Sequence, residues 1–243
     1  MDSINEQVAI VTGADRGIGK SVVARLWDLG WRKFLLHSKD GQALKETYSA
    51  DEWAGSEIEL AHGDVSDTQS VEDAVAAAVQ RFGRIDALFN VAGVAYPGGI
   101  LDSSLEHWDA SWMTNVRGFL NFARATAPAM KSRASGHIVN LSSIWAIQPS
   151  TALAPYSVSK HAVQGLSGAM QAEFQPHGIK VSTVILDKVN TNFRENMPGP
   201  DFPQERLELM LTPDEVARII VGLTETDANT NISTLQIDAW RWQ

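Results

Sequence analysis

The chain contains no cysteine, which excludes disulfides, thiolate zinc sites and cysteine nucleophiles together. Its histidines, at 37, 62, 107, 137, 161 and 177, include no His-x-x-x-His pair. No metal site is therefore expected, and each reads as a surface or core side chain. No lysine or arginine cluster offsets the net charge of −9, and an acidic surface repels phosphate backbones, so nucleic acid is not an expected partner. The start, Met1-Asp2-Ser3-Ile4-Asn5-Glu6-Gln7, has neither a basic flank nor a long apolar stretch, and no membrane partner is expected. A soluble, cytoplasmic protein is the expectation. A repeat of 20–50 residues, a low-complexity tract and a Pro/Gly/Ser linker are all missing as well. Nothing marks a domain boundary.

What is present is a globular balance. With 243 residues, 44% hydrophobic and 20% charged, the chain suits one domain that buries about 70–75% of its unfolded surface. Short apolar runs read as strands at Val8–Val11, Phe34–His37, Ile58–His62, Ala87–Asn90, His137–Leu141, Lys180–Leu186 and Thr234–Ile237. The first six mostly lack period-two alternation, as befits strands covered on both faces. Helical patterns span Ile18–Leu29, Val71–Phe82, Leu105–Met130 and Tyr156–Phe174, with Gly30, Gly83 and the Pro176/Gly178 pair as stop signals. Thr212-Pro213-Asp214-Glu215 carries the cap, proline and glutamate of a capping box at the start of a last helix. Strands alternating with crossover helices predict an α/β protein, a single-domain Rossmann fold whose doubly wound parallel sheet has about seven strands and helices on both faces. One stretch breaks the rhythm, Asp187–Leu211, with Pro198, Gly199, Pro200 and Pro203 at its centre; a connection this long reads as a substrate lid.

Directly after the first strand stands Thr12-Gly13-Ala14-Asp15-Arg16-Gly17-Ile18-Gly19. Such glycines let backbone amides approach a pyrophosphate at a helix N-terminus, although a tight corner without ligand would look similar. Further on, Tyr156-Ser157-Val158-Ser159-Lys160 forms a Tyr-x-x-x-Lys pentad, and Ser143 ends the fifth strand thirteen residues upstream. With Asn90-Val91-Ala92-Gly93 after strand four and Asn115 in the next helix, the chain resembles the short-chain dehydrogenase/reductase family from Val8 to about Thr191.

That resemblance implies an oxidoreductase in which Tyr156 is the acid or base on the substrate oxygen. Ser143 orients and polarises the same oxygen, Lys160 holds the nicotinamide ribose, and Asn115 organises a water-linked proton path. Residues four apart share a helix face, so Tyr156 and Lys160 point into one space, where an ammonium would favour the phenolate. The implied cofactor contacts are Gly13, Asp15, Arg16, Gly17, Ile18 and Gly19 in the turn, Asp64 and Val65 by the adenine, Asn90, Ala92 and Gly93 by the ribose, and Tyr156, Lys160, Val189 and Thr191. Asp64 can equally be a local cap. At the end of the second strand an acid would repel a ribose phosphate, but the chain has Leu36-His37-Ser38-Lys39 with no acid before Asp40. Arg16 and Lys39 can bracket a phosphate with Ser38 as a further donor, which predicts NADP(H) as cofactor.

The sequence departs from the family after the sixth strand, where Leu186 and Asp187 replace a Pro-Gly corner. Asp187 is open to pairing with Lys188 or a distant cation, or to substrate selection. Ala146 stands where a glycine often follows the serine motif. Trp240 and Trp242 would pack on another subunit or fold back on their own domain. The substrate-side residues Ser143, Trp145, Gln148, Tyr156 and Phe193, with Ala95, Tyr96, Ile147, Met197, Phe202 and Met210 around them, are mostly apolar and favour a fairly hydrophobic ketone or secondary alcohol. A small-molecule carbonyl reductase, as homodimer or homotetramer, is the preferred expectation; a 3-oxoacyl thioester reductase and a dinucleotide-binding scaffold without turnover are the alternatives.

Overall fold

The computed structural model describes residues 3–49, 53–193 and 202–242. Val8–Thr12 carries no charge, forms β1 and is buried at every position. A parallel strand buried on both faces needs crossover helices above and below it. The chain supplies them in order: α1 (Gly17–Asp28), β2 (Lys33–Ser38), α2 (Gly41–Tyr48), β3 (Glu57–His62), α3 (Thr68–Phe82), β4 (Ala87–Asn90), α4 (Leu105–Trp112), α5 (Gly118–Arg133), β5 (Gly136–Leu141), α6 (Ala154–Phe174), β6 (Ile179–Leu186), α7 (Gln204–Leu207), α8 (Pro213–Val221) and β7 (Thr234–Ile237). The strands pair in parallel in the order β3-β2-β1-β4-β5-β6-β7, which is the expected doubly wound sheet.

Alternation along β1 divides the core. Ala9 and Val11 join Phe34 and Leu36 beneath Val22 and Leu26 of α1 and Val216 and Ile220 of α8. Val8 and Ile10 face the other way, with Leu35 and Leu88, onto Val71 and Val75 of α3, Phe122 of α5 and Met170 of α6. The order of strands reverses between β1 and β4, so the loops at their carboxyl ends diverge and leave a crevice there.

Two elements differ from expectation. The segment after β2 is helical because the Asp40 carboxylate accepts from the amides of Gln42 (3.0 Å) and Ala43 (2.9 Å). The single helix expected over Leu105–Met130 is instead α4 and α5 joined through one wide π turn, Met113–Arg117, with Asn115 in it. The capping box at Thr212 is formed in both directions.

Two histidines lie inside the core. His37, near the end of β2, is wholly buried, sits edge-on to Phe122 with centroids 5.1 Å apart, and has a partner on neither ring nitrogen. His137 on β5 places Nε2 2.8 Å from Ser182 Oγ. Burial pushes both down to about 4, with Asp64 opposing at His37 and Lys180 reinforcing at His137. Because these folded-state values lie below the unfolded one, the stability they contribute is full above pH 6.5 and is lost as pH falls toward 4. At ~1.4 kcal/mol per unit the loss approaches about 3 kcal/mol for each histidine. The urea midpoint is expected to drop steadily between pH 7 and 4.5; a level midpoint across that range would contradict the assignment.

Candidate active site

The turn into α1 is built by close backbone approach. Gly13 and Gly17 hold φ of +64° and +52°, and a Cβ on Gly19 would lie 2.0 Å from the Gly13 carbonyl oxygen. No side chain caps α1, whose N-cap residue is Arg16. Its first amides therefore open toward the crevice without a side-chain acceptor, an arrangement suited to an anion.

A groove of about 900 Å³ runs from this turn across the carboxyl ends of the strands. At its β2 end, Ser38 Oγ donates to Asp15, whose other oxygen lies 3.6 Å from Arg16 Nε. Lys39 Nζ donates to Asp64 Oδ2 at 2.9 Å, while Asp64 Oδ1 accepts from the amide (2.9 Å) and hydroxyl (2.8 Å) of Ser66. Asp64 is thus a local cap that also lines the groove. Burial works against its charge, but the bonds from Lys39 and Ser66 prevail and hold it at about 2.

At the far end stand Ser143, Tyr156 and Lys160, all buried. Lys160 Nζ donates to the Leu141 carbonyl at the end of β5 (2.8 Å) and lies 5.7 Å from the Tyr156 ring centroid. Two further bonds fasten α6 to the segment after β5: Ser142 Oγ to the Lys160 carbonyl (3.3 Å) and Ser157 Oγ to the Trp145 carbonyl (2.7 Å). Burial pushes the Tyr156 hydroxyl up to about 12, and the neighbouring Ser143 hydroxyl acts in the opposite direction. Burial also pushes Lys160 down to about 7. The expected depression of the phenol by the ammonium is therefore not what this arrangement displays: desolvation governs both groups.

Asn115 lies behind these residues rather than on the groove. Its Oδ1 accepts from the Val94 amide (2.8 Å), and its Nδ2 donates to the Val94 carbonyl (2.9 Å) and Ser159 Oγ (2.8 Å). It thereby joins the loop after β4 to the residue preceding Lys160. Across Gly93, a Cβ would meet Asn115 Oδ1 at 3.2 Å and both Lys160 Nζ and Phe193 at 3.8 Å, so the groove needs the missing side chain there.

Gly13, Asp15, Arg16, Gly17, Ile18, Gly19, Ser38, Lys39, Asp64, Val65, Ala92, Gly93, Val189 and Thr191 all line the groove, with Ser143, Tyr156, Lys160, Tyr96 and Phe193. Asn90 does not: it is buried between strands, where its Nδ2 donates to Asn140 Oδ1 at 2.9 Å. Trp145, Gln148 and Ile147 also stand off the groove, because the 3-10 turn Ile144–Ala146 carries the chain away and leaves Gln148 and Ile147 exposed. Ala95 and Met210 are buried elsewhere. Met197 lies outside the described residues. Residues not anticipated include Ser159, the partner of Asn115, and Met113 and Thr114, which the π turn brings to the groove. A widened turn has no sequence period to announce it.

The altered corner after β6 is closed by an ion pair. Asp187 Oδ1 accepts from Lys188 Nζ at 2.9 Å, so the acid pairs with its neighbour in the chain. Trp242 folds back on its own chain, with Phe202 edge-on at 5.2 Å and the cations of Lys188 and Arg206 at 5.1 and 4.7 Å from its ring. Trp240 is 81% exposed.

Comparison with known proteins agrees with this geometry. Residues 7–199 match the model of the short chain dehydrogenase family, and the chain belongs to that family of oxidoreductases. An uncharacterized oxidoreductase of Staphylococcus haemolyticus is 30% identical over 240 residues, covering 98% of this chain and 99% of the relative. One from Staphylococcus epidermidis is 28% identical over 237 residues, with the same coverage. Among solved structures, a metagenomic short-chain oxidoreductase in complex with NADP is similar with a TM-score of 0.80 and 29% identity, over 96% of this chain and 97% of that one. Levodione reductase shares the fold, with a TM-score of 0.85 at 24% identity over 98% of each chain. Among the described residues no helix is long and apolar enough to cross a membrane.

The close approach at the turn is testable by one methyl group. Gly19→Ala is expected to lower the unfolding free energy by about 2–3 kcal/mol, since its Cβ meets backbone that cannot rotate away. Urea denaturation followed by circular dichroism measures this, and wild-type stability in the variant would refute the described packing.

Proposed function

We propose that the chain is an NADP(H)-dependent oxidoreductase that moves a hydride between the nicotinamide and a fairly hydrophobic ketone or secondary alcohol, with Tyr156 as acid and base. One observation carries the reading. Ser143, Tyr156 and Lys160 converge at one end of a groove whose other end presents Arg16, Ser38 and Lys39, with an uncapped helix start between them. The NADP held by the metagenomic relative supports the same cofactor here. The residues present fit such a dinucleotide: α1 amides and Gly13 for the pyrophosphate, Arg16 and Lys39 for a ribose phosphate, Lys160 and Thr191 toward the nicotinamide end.

When bound, the dinucleotide supplies or takes up the hydride. Tyr156 Oη gives its proton to the carbonyl oxygen in reduction and takes it from the alcohol in oxidation. A phenol held at about 12 by burial stays protonated at neutral pH, which suits the donor role. Ser143 Oγ accepts from the Trp145 amide (3.3 Å), so its own proton is left to point toward the substrate oxygen as charge develops there. Lys160, brought down to about 7, exchanges protons readily near neutrality and can restore the tyrosine. Tyr96, Met113 and Phe193 give the substrate end an apolar wall. Phe193 lies against the Tyr156 ring with centroids 5.7 Å apart.

The same reading includes a lid over Asp187–Leu211, of which residues 194–201 lie outside the described residues, a cytoplasmic setting in keeping with a cysteine-free chain, and a homodimer or homotetramer. Trp112 and Val158, 49% and 45% exposed on the outer sides of α4 and α6, support self-association. Oxidation of NADPH against a panel of carbonyl compounds tests the activity. Tyr156→Phe is expected to lower kcat/KM on the best substrate by at least about 100-fold while NADPH binding, read by fluorescence titration, stays within about threefold. Full activity in the variant would remove the phenol from the mechanism.

A further inference from the structure

The two cations offered to a ribose phosphate are both already engaged by carboxylates, Arg16 beside Asp15 and Lys39 on Asp64. The second pair is built to exchange. Its carboxylate is anchored, because Asp64 Oδ1 is fixed by both donors of Ser66 and only Oδ2 faces Lys39. Its cation is loosely held: the Lys39 side chain is 82% exposed against 38% for Asp64, and exposed pairs of this kind contribute little. The nearby Asp40 carboxylate turns one oxygen to the first amides of α2, and Lys39 pairs with Asp64. The bond to Asp64 raises the lysine above its ordinary value.

We propose that Asp64 is a specificity-determining residue that acts as a latch on Lys39, released when a phosphorylated adenosine draws the ammonium away and closed when the ribose carries no phosphate. A phosphate dianion outweighs a carboxylate monoanion for the same cation. Once Lys39 turns to it, the bond to Asp64 is broken. With an unphosphorylated ribose nothing pulls Lys39 off, and Oδ2 stays occupied. The acid therefore opposes capture of the phosphate by exactly the pair it forms, and removing its charge should strengthen phosphate recognition rather than weaken it. The inference rests on the NADP(H) reading above.

The test is a double-mutant cycle read by calorimetric binding, without turnover. Wild type, Asp64→Asn, Lys39→Ala and the double variant are titrated with adenosine 2′,5′-bisphosphate and with 5′-AMP. Asparagine keeps an acceptor for Ser66, so the local cap survives. The latch predicts that Asp64→Asn tightens the bisphosphate about threefold when Lys39 is present and by less than about 1.5-fold when it is not. Binding of 5′-AMP is expected to show no such dependence on Lys39. Equal gains in both backgrounds would mean simple loss of a negative charge and would overturn the latch, as would the absence of any gain. Failure of the wild type to bind either nucleotide would overturn the dinucleotide reading and the latch with it; binding of both without the predicted coupling would overturn the latch alone.

Discussion

Lys160 reaches from the second turn of α6 to the carbonyl of Leu141, the last residue of β5, and the position of every reacting group follows from that reach. A lysine buried among apolar neighbours loses hydration that only a well-placed acceptor replaces, so the bond fixes how α6 docks on the sheet. The bonds from Ser142 and Ser157 repeat the constraint on either side of it. With the helix so placed, Tyr156 one turn earlier has Ser143 as its neighbour. Phe119 packs beneath the ammonium at 5.2 Å and keeps water from that side.

The groove joins two electrostatic regimes. Its inner end is dry, and there desolvation governs, raising the phenol and lowering the amine so that each is pushed toward its neutral form. Its outer end is wet, and pairs such as Lys39 with Asp64 are set by hydrogen bonding and are easily rearranged. A dinucleotide bridging the two would be held by mobile charges at one end and presented to fixed ones at the other. The parallel sheet makes this division natural, since its strand ends form a rigid floor while the loops above them diverge.

Much of this was legible in the sequence, for identifiable reasons. The strands showed because burial on both faces removes polar residues from whole runs such as Val8–Val11, and the groove-lining glycines showed because close backbone approach admits no other residue. The helix Gly41–Tyr48 did not show, being too short to display a period and announced only by the cap at Asp40. Asn90 was expected on the cofactor because it belongs to a motif, yet its side chain turns to Asn140 within the sheet. Trp145 and Gln148 were expected on the substrate because they follow Ser143; a 3-10 turn redirects the chain in three residues. Counting along a sequence carries no information about such a turn. For Asp187 and Trp242 the sequence left more than one outcome open; the adjacent Lys188 decides the first, and long-range contacts to Phe202 and Arg206 decide the second.

A crystal structure of the protein with NADP+ tests the central claim most directly. The account predicts the pyrophosphate on the amides that open α1, the ribose phosphate between Arg16 and Lys39, and the nicotinamide beside Tyr156 and Lys160. A dinucleotide bound in the reverse sense, or bound away from Tyr156, would contradict it.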